Sequence, residues 1–353
     1  MIVGIHPDKK HAKLGSVSKR YKKILDINNI RNIVLYIGDD FFWDKVKKCD
    51  LFIFQWNQYD YLRQIAQNIL PIIESHLEIQ CFPKLLSSWI YDDKIREYYL
   101  LKQFNLPIAE SWIFYDPSSA IRFSEKAHYP LVYKLRSGAG SQMVKLIKTK
   151  IGAKKQIDIM FRKGVDYQHG LPGTNYDYIV EKGLLKLVRK KLGKIKQRLK
   201  DGTSYYSRNW FVHKNYILFQ KFLPNNLYDT RVVVIGKQAF AFQRMNREMD
   251  FRASGSTNHI YEPEKIDLRF IDIAFKVSNM FGFDVMSYDF LYDEHNQPAI
   301  TELSYVFGSK EGSKVSECPG YWDDKMNWYE GKTDVSYCIL SNLLDIHNLK
   351  KLK

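Results

Sequence analysis

The sequence is poor in the features that would tie it to an oxidising compartment or to a bilayer. It has four cysteines, Cys49, Cys81, Cys318 and Cys338, far apart and without CxxC or Cys/His ligand spacing. This excludes a disulfide scaffold and a zinc-ribbon type of site, leaving free thiols as the reading. No apolar run approaches the ~18 residues that a membrane helix needs. The opening MIVGIHPDKKHAK loses its apolar character at His6, which argues against a secretory leader. A soluble, cytoplasmic protein is the expectation. Acids are scarce in one place: residues 134–200 hold 18 Lys or Arg against 4 Asp or Glu, which is +14 of the chain's net +15.

What the sequence does have is enough apolar matter for two or three cores. Across 353 residues it is 45% hydrophobic and 15% aromatic, outside the range of disordered chains. The first ninety residues alternate short apolar runs (MIVGI, IRNIVLYIG, DLFIFQW) with helical stretches such as GSVSKRYKKILDIN, the pattern of a small βαβ-type domain. Its first loop, HPDKKHAKLGS, follows a strand directly, where open α/β sheets bind ligands. It does not match the P-loop pattern, and an ordinary solvated loop is the better reading.

A helix follows over YDDKIREYYLLKQFN, with Tyr98, Leu101 and Phe104, supported by Leu100, as its apolar stripe. Then YPLVYKLRSGAGSQMVKLIKTK reads as strand 130–136, a Gly-rich loop and strand 142–148. Glycines and serines let backbone N–H groups face an anion, and Lys134 and Arg136 share a face of the strand leading in. Residues 150–215 read as an insertion. Within it Leu184, Val188, Leu192, Ile195 and Leu199 fall three or four apart among nine cations from Lys182 to Lys200, a basic amphipathic helix over 183–200. A solvated outer face, docking on anionic lipid or nucleic acid, and steering of an anionic substrate all remain open. From Tyr216 the pattern is β: YILFQKFLPNNLYDTRVVVIGKQAFAFQRM. A polar loop NREMDFRASGS follows, then a helix with Ile266, Phe270, Ile273, Ala274 and Val277 on one side.

The segment SYDFLYDEHNQPAITELSYVFG, 287–308, then reads as a hairpin. If Asp293 pairs with Pro298, the register sets Leu291 opposite Ile300 and Asp289 opposite Glu302, with Ser304 further along the same face. Opposed side chains sit roughly 5 Å apart at Cβ, so two carboxylates there need a positive charge between them. A hard cation completed by a nucleotide would supply it. Plain solvation of both acids is the alternative.

Taken in order, Lys94, Lys134 with its Gly-rich loop, FQKFL, YDTRVVVIG, DFRASGS, and an Asp and Glu thirteen positions apart resemble the ATP-grasp superfamily. The likeness is to ligases similar to the ribosomal protein S6 glutamate ligase, and it covers residues 88–310. It implies an α+β chain: an ATP-grasp fold of two α+β subdomains clamping ATP over 89–345, preceded by a small α/β domain over 1–88.

The resemblance also implies roles. Lys94 and Lys134 would contact nucleotide, and Ser137, Gly138, Ala139, Gly140 and Ser141 would cover its phosphates. Gln220, Lys221 and Leu223 would line the adenine pocket, and Asp229 would take the ribose. Asp289, Glu302 and Ser304 would hold one or two Mg²⁺ ions, while Arg231 and Arg252 would face the transferred phosphoryl group as catalytic residues. Two positions depart from the family pattern: Ser304 stands where Asn is usual, and Gln220 where Glu is usual.

The expected activity is ATP-dependent joining of a carboxylate to an amine or amino acid through an acyl phosphate. Resemblance to proteins of surface-polysaccharide pathways suggests a sugar carboxylate as the acid. A kinase on the same fold, or a non-catalytic nucleotide- or nucleic-acid-binding module, stays open. Nucleic acid is the less expected partner, and the basic helix leaves a membrane surface open. The aromatic segment ECPGYWDDKMNWYEGK, 317–332, reads either as a sugar or peptide platform or as a seal over the core.

Overall fold

The computed structural model describes residues 1–9, 13–57, 59–138, 144–166, 212–247, 250–253, 258–308 and 313–352. The chain forms two compact units, one of Met1–Gln58, Leu62–Ala109 and Leu223–Lys353, the other of Tyr59–Tyr61 and Glu110–Phe222.

The first unit begins with β1 (Ile2–Ile5), α1 (Ser16–Ile27), β2 (Arg31–Val34), α2 (Phe42–Val46), β3 (Leu51–Ile53), α3 (Asp60–Leu70), β4 (Gln80–Phe82), α4 (Leu85–Ile90) and α5 (Lys94–Gln103). Its four strands make a parallel sheet in the order β2-β1-β3-β4, as the alternation of apolar runs and helices predicts. Helix α5 departs from its expected stripe. The buried positions are Lys94, Ile95, Glu97 and Leu101, while Phe104 lies beyond the helix and is 50% exposed. The buried face therefore carries charge, because its neighbour is the acid-bearing hairpin described below.

The second unit holds β5 (Ser111–Phe114), α6 (Pro117–Lys126), β6 (Leu131–Lys134), β7 (Lys145–Ile147), α7 (Lys150–Arg162), the short ribbon β8 (Val165–Asp166) and β9 (Val212–His213), and β10 (Ile217–Lys221). Its antiparallel sheet runs β5-β10-β6-β7. Asp116 and Thr149 cap α6 and α7 with side-chain oxygens. Within the segment read as an insertion, 150–162 is helix α7, with Ala153, Ile157 and Met160 buried. The basic amphipathic segment 183–200 lies outside the described residues, as do Ala139, Gly140 and Ser141.

The first unit resumes with β11 (Tyr228–Ile235), β12 (Gln238–Met245), β13 (His259–Ile260), α8 (Leu268–Phe281), β14 (Val285–Tyr292), β15 (Pro298–Ser304), β16 (Gly320–Asp323), β17 (Trp328–Glu330) and α9 (Val335–Leu344). The sheet runs β15-β14-β11-β12-β16-β17, with β13 also paired to β12. The tight turn from β11 to β12 requires Gly236: its φ is +54°, and a Cβ there would sit 2.0 Å from Asn342 Oδ1.

One face of this sheet is divided along its strands. Val233, Ile235, Phe240, Phe242 and Val285 join Val3, Ile5, Leu51 and Ile53 of the parallel sheet, with Tyr21 of α1 and Ile339 of α9, in one continuous core. Each such side chain contributes roughly 1.5–3 kcal/mol by leaving water. Toward the other end the same face carries Asp229, Arg231, Arg244 and Asp289. On the opposite face Phe290 stacks on Phe270 of α8 at 4.8 Å, and Tyr288 shares a hydrogen bond with Ser278 at 2.7 Å. The helix stripe expected there holds at Phe270, Ala274 and Val277, although Ile266 lies before the helix and Ile273 is only half-buried. The aromatic segment supplies β16 and β17, with Trp322 buried and Tyr321 packed on the core. It seals that edge of the sheet.

Candidate functional site

The opposed acids of the hairpin are found where the alternation places them, with Asp289 on β14 facing Glu302 on β15. The rest of the register differs from the simple reading. Tyr292 pairs with Pro298, Leu291 with Ala299 and Phe290 with Ile300, and the register then slips between Asp289 and Phe290. Thr301 is the extra residue, a β-bulge. It lets Ile300 face the apolar side with Phe290 while Glu302, two residues on, faces the acid side. Unbroken alternation would have put both on one face. Asp293 closes the turn by accepting from the N–H groups of His295 and Gln297, each at 2.8 Å.

The charge on Asp289 is balanced by arginine. Arg231, directly opposite on β11, donates to both its oxygens at 2.7 and 2.8 Å. Arg244 donates to Asp289 at 2.7 Å and to both oxygens of Asp229, its cross-strand partner, at 2.6 Å. Burial by itself would raise the Asp289 carboxyl, but the guanidinium groups of Arg231 and Arg244 outweigh it and hold the acid well below the usual carboxylate range. Arg244 is only 4% exposed. It is the group that makes two buried acids tolerable on one sheet.

Glu302 has its own counter-charge, Lys94 Nζ at 3.2 Å. Burial opposes the charge on Lys94, but Glu302 and Asp92 overcome it and raise the amine above its ordinary value. Glu97, one turn along α5, accepts from the Leu303 N–H at 3.0 Å. Burial pushes its carboxyl up to about 8, so it is largely protonated at neutral pH. Helix α5 thereby clamps β15 beside the acids.

Other expected residues stand apart from this cluster. Arg252 forms an ion pair with Asp250 in its own loop, at 2.6 Å. The Ser304 hydroxyl is engaged with the backbone of Val306, donating to its carbonyl at 2.7 Å and accepting its N–H at 3.1 Å. Leu223 packs with Ala109, Leu291 and Ala299 in a small apolar cluster. Among the described residues no three His, Cys, Asp or Glu side chains form a metal-binding group. As a donor set, two hard carboxylates facing each other across adjacent strands suit Mg²⁺, and Asp289 and Glu302 would be the residues to hold it.

In the second unit, Lys134 on β6 stands opposite Leu218 of β10, and Gln220 stands opposite Val132, so the lysine and the amide share one face of the sheet. Gln220 donates to Ser111 Oγ at 3.1 Å, and the Lys221 N–H donates to the Glu110 carbonyl at 2.8 Å. The opposite face, with Trp112 and Phe219, packs on Phe123 of α6. Ser137 and Gly138 open the Gly-rich loop, Gly138 with φ +132°.

Two residues of the acid cluster escaped the sequence reading: Arg244 and Glu97. Parity would have found Arg244, which continues the inward positions of Phe240 and Phe242 and ends opposite Asp229. Glu97 lies three residues beyond Lys94, on the same helix face.

The fold so described is the ATP-grasp fold, which defines the class of the protein. Within that class, residues 187–318 match the RimK-like ATP-grasp domain, and the ATP-grasp resemblance read from the motifs is borne out. It is similar to the alpha-aminoadipate–LysW ligase LysX of Saccharolobus solfataricus, with 24% identity over 70% of each chain. Its backbone also follows that of a RimK domain ATP-grasp protein from Sphaerobacter thermophilus (TM-score 0.53, 11% identity, 98% of this chain and 100% of that one). A third likeness is to the D-alanine–D-alanine ligase of Bacillus anthracis complexed with ATP (TM-score 0.56, 13% identity, 98% and 97%). Among the described residues no helix is long and apolar enough to cross a membrane.

Proposed function

We propose that the protein is an ATP-dependent ligase that joins a carboxylate to an amine through an acyl phosphate. The observation that carries this reading is the rung Arg231–Asp289–Glu302 on an ATP-grasp sheet, where hard oxygen donors for a metal stand next to a guanidinium fork suited to phosphoryl oxygens. Lys134 and the loop opened by Ser137 and Gly138 bind nucleotide phosphates, Gln220 and Lys221 meet the adenine, and Asp289 and Glu302 hold Mg²⁺. The metal, when bound, supplies charge neutralisation for the phosphates. Leu223 adds an apolar wall, and Asp229 fixes Arg244 as well as offering oxygens to the ribose.

In the first step a substrate carboxylate oxygen attacks the γ-phosphorus, the bond to the bridging oxygen breaks and ADP leaves. In the second, the amine nitrogen attacks the acyl carbon, phosphate departs with the C–O electron pair and the nitrogen releases its proton to solvent. Arg231 stabilises the oxygens that gain charge. Arg252 does the same if its loop exchanges Asp250 for substrate. No nucleophilic side chain is required.

The surplus cations of 134–200 favour an anionic acid substrate by raising its local concentration. A sugar carboxylate suits that chemistry, as does an acidic peptide. The test is to incubate protein, ATP and Mg²⁺ with panels of carboxylates and amines while reading free phosphate, and to repeat each acid with hydroxylamine. A ligase gives phosphate and a hydroxamate. A phosphorylated product with no free phosphate would identify a kinase instead, and absence of turnover across the panels in a protein that binds ATP would favour a binding module.

A further inference from the structure

Behind the start of the Gly-rich loop lies a chain of hydrogen bonds that none of the roles above uses. The backbone N–H of Arg136 donates to the Tyr216 hydroxyl at 2.8 Å. That hydroxyl is 2.8 Å from Nδ1 of His213, and Nε2 of His213 is 3.2 Å from Oγ of Ser137. His213 is 1% exposed and Tyr216 is buried with it. All four residues belong to the second unit, so the chain of bonds lies inside one body. A buried imidazole linking a buried phenol to the first residue of an anion-facing loop is not required by packing, since an apolar ring would fill the space without polar atoms to satisfy.

We infer that His213 and Tyr216 are positioning residues that hold Ser137 as a hydrogen-bond donor to a phosphate oxygen of the nucleotide. This rests on the nucleotide reading of the loop given above. The relay uses one of the two directions open to the imidazole. The Tyr216 oxygen receives an amide hydrogen and passes its own to Nδ1. The neutral ring then carries its hydrogen on Nε2 and gives it to Ser137 Oγ, whose hydroxyl hydrogen is directed outward. In the reverse direction Ser137 would donate inward and present only lone pairs to an anion. Hydrogen bonds in series polarise one another, so the last donor is stronger than an isolated serine.

The test is calorimetric binding of adenylyl imidodiphosphate with Mg²⁺ to the full chain and to Ser137→Ala, His213→Leu, Tyr216→Phe and the Ser137→Ala/His213→Leu pair, with thermal unfolding of each. Loss of a donor to a charged oxygen weakens binding about ten-fold. Ser137→Ala and His213→Leu are each expected to show this loss, and the double variant no more than either. His213→Gln, which keeps a donor at the Nε2 position, should recover most of the affinity. Tyr216→Phe, which changes little in shape, should weaken binding with Tm held close to that of the wild type, and it decides the matter if His213→Leu fails to fold. Wild-type affinity in Tyr216→Phe or in a folded His213→Leu, or single losses that multiply in the double variant, would overturn the relay while leaving nucleotide binding in place. Absence of binding by the wild-type protein would overturn both.

Discussion

A single guanidinium, Arg244, carries more of the site's electrostatics than any residue singled out by motif. It bonds two buried acids, Asp229 and Asp289, on neighbouring strands, and its removal would leave Asp229 without the only ion-pair partner recorded for it among the described residues. Arg244→Met should therefore destabilise the protein by about 3–5 kcal/mol, read from urea denaturation. Arg231→Met should cost less, because Asp289 keeps Arg244. Equal, small losses in both would show that the acids are solvated. Glu97 gives a pH signature. Its carboxyl is raised from an ordinary 4.5 to about 8, so between these values the folded chain holds a proton that the unfolded chain has released. Stability should then fall as pH rises through that window. His6, buried and lowered to about 4, acts in the opposite sense below 6.5, so the cleaner comparison is pH 6.5 against pH 8. There the wild type should lose about 1–2 kcal/mol more than Glu97→Gln, and parallel profiles would contradict the buried, protonated Glu97.

Among the elements, the hairpin β14–β15 depends on one inserted residue. Thr301 bulges out of register, its hydroxyl donating to the Asp289 carbonyl at 3.1 Å, and this switch of parity is what separates Ile300 from Glu302 onto opposite faces. Deleting Thr301 should force either the isoleucine out of the core or the glutamate away from Lys94. We expect a loss above about 3 kcal/mol, or no folded protein, against less than about 1 kcal/mol for Thr301→Val. Comparable thermal unfolding of the deletion and the substitution would mean that the bulge does not set the register. Helix α5 makes the same point from the other side, since the face it buries is chosen by the acids of β15 and not by its own aromatic residues.

For the whole molecule, the uneven charge is the property with a kinetic consequence. Nearly all the net charge of +15 comes from 134–200, so anionic substrates should be captured faster at low ionic strength. Removing 183–200 should raise the apparent substrate KM at low salt by several-fold and leave it nearly unchanged above about 0.5 M salt, where screening is strong. A KM that is the same at every salt concentration would show that the segment does not steer substrate.

Local pattern by itself determined the parallel βαβ start, the long antiparallel strands and the turns at Asn225, Gly236 and Asn296. These follow from periods of 2 and 3.6 and from backbone-permissive turn residues, all of which act over a few positions. The ordered motifs were sufficient to indicate the ATP-grasp class. Tertiary structure alone decided which charges meet. Lys94 reaches Glu302 across 208 positions, and Arg244 reaches Asp289 across 45. Short-range pattern does not encode the distance between residues so separated, and the one-residue bulge that sets the parity of Glu302 has no compositional mark at Thr301.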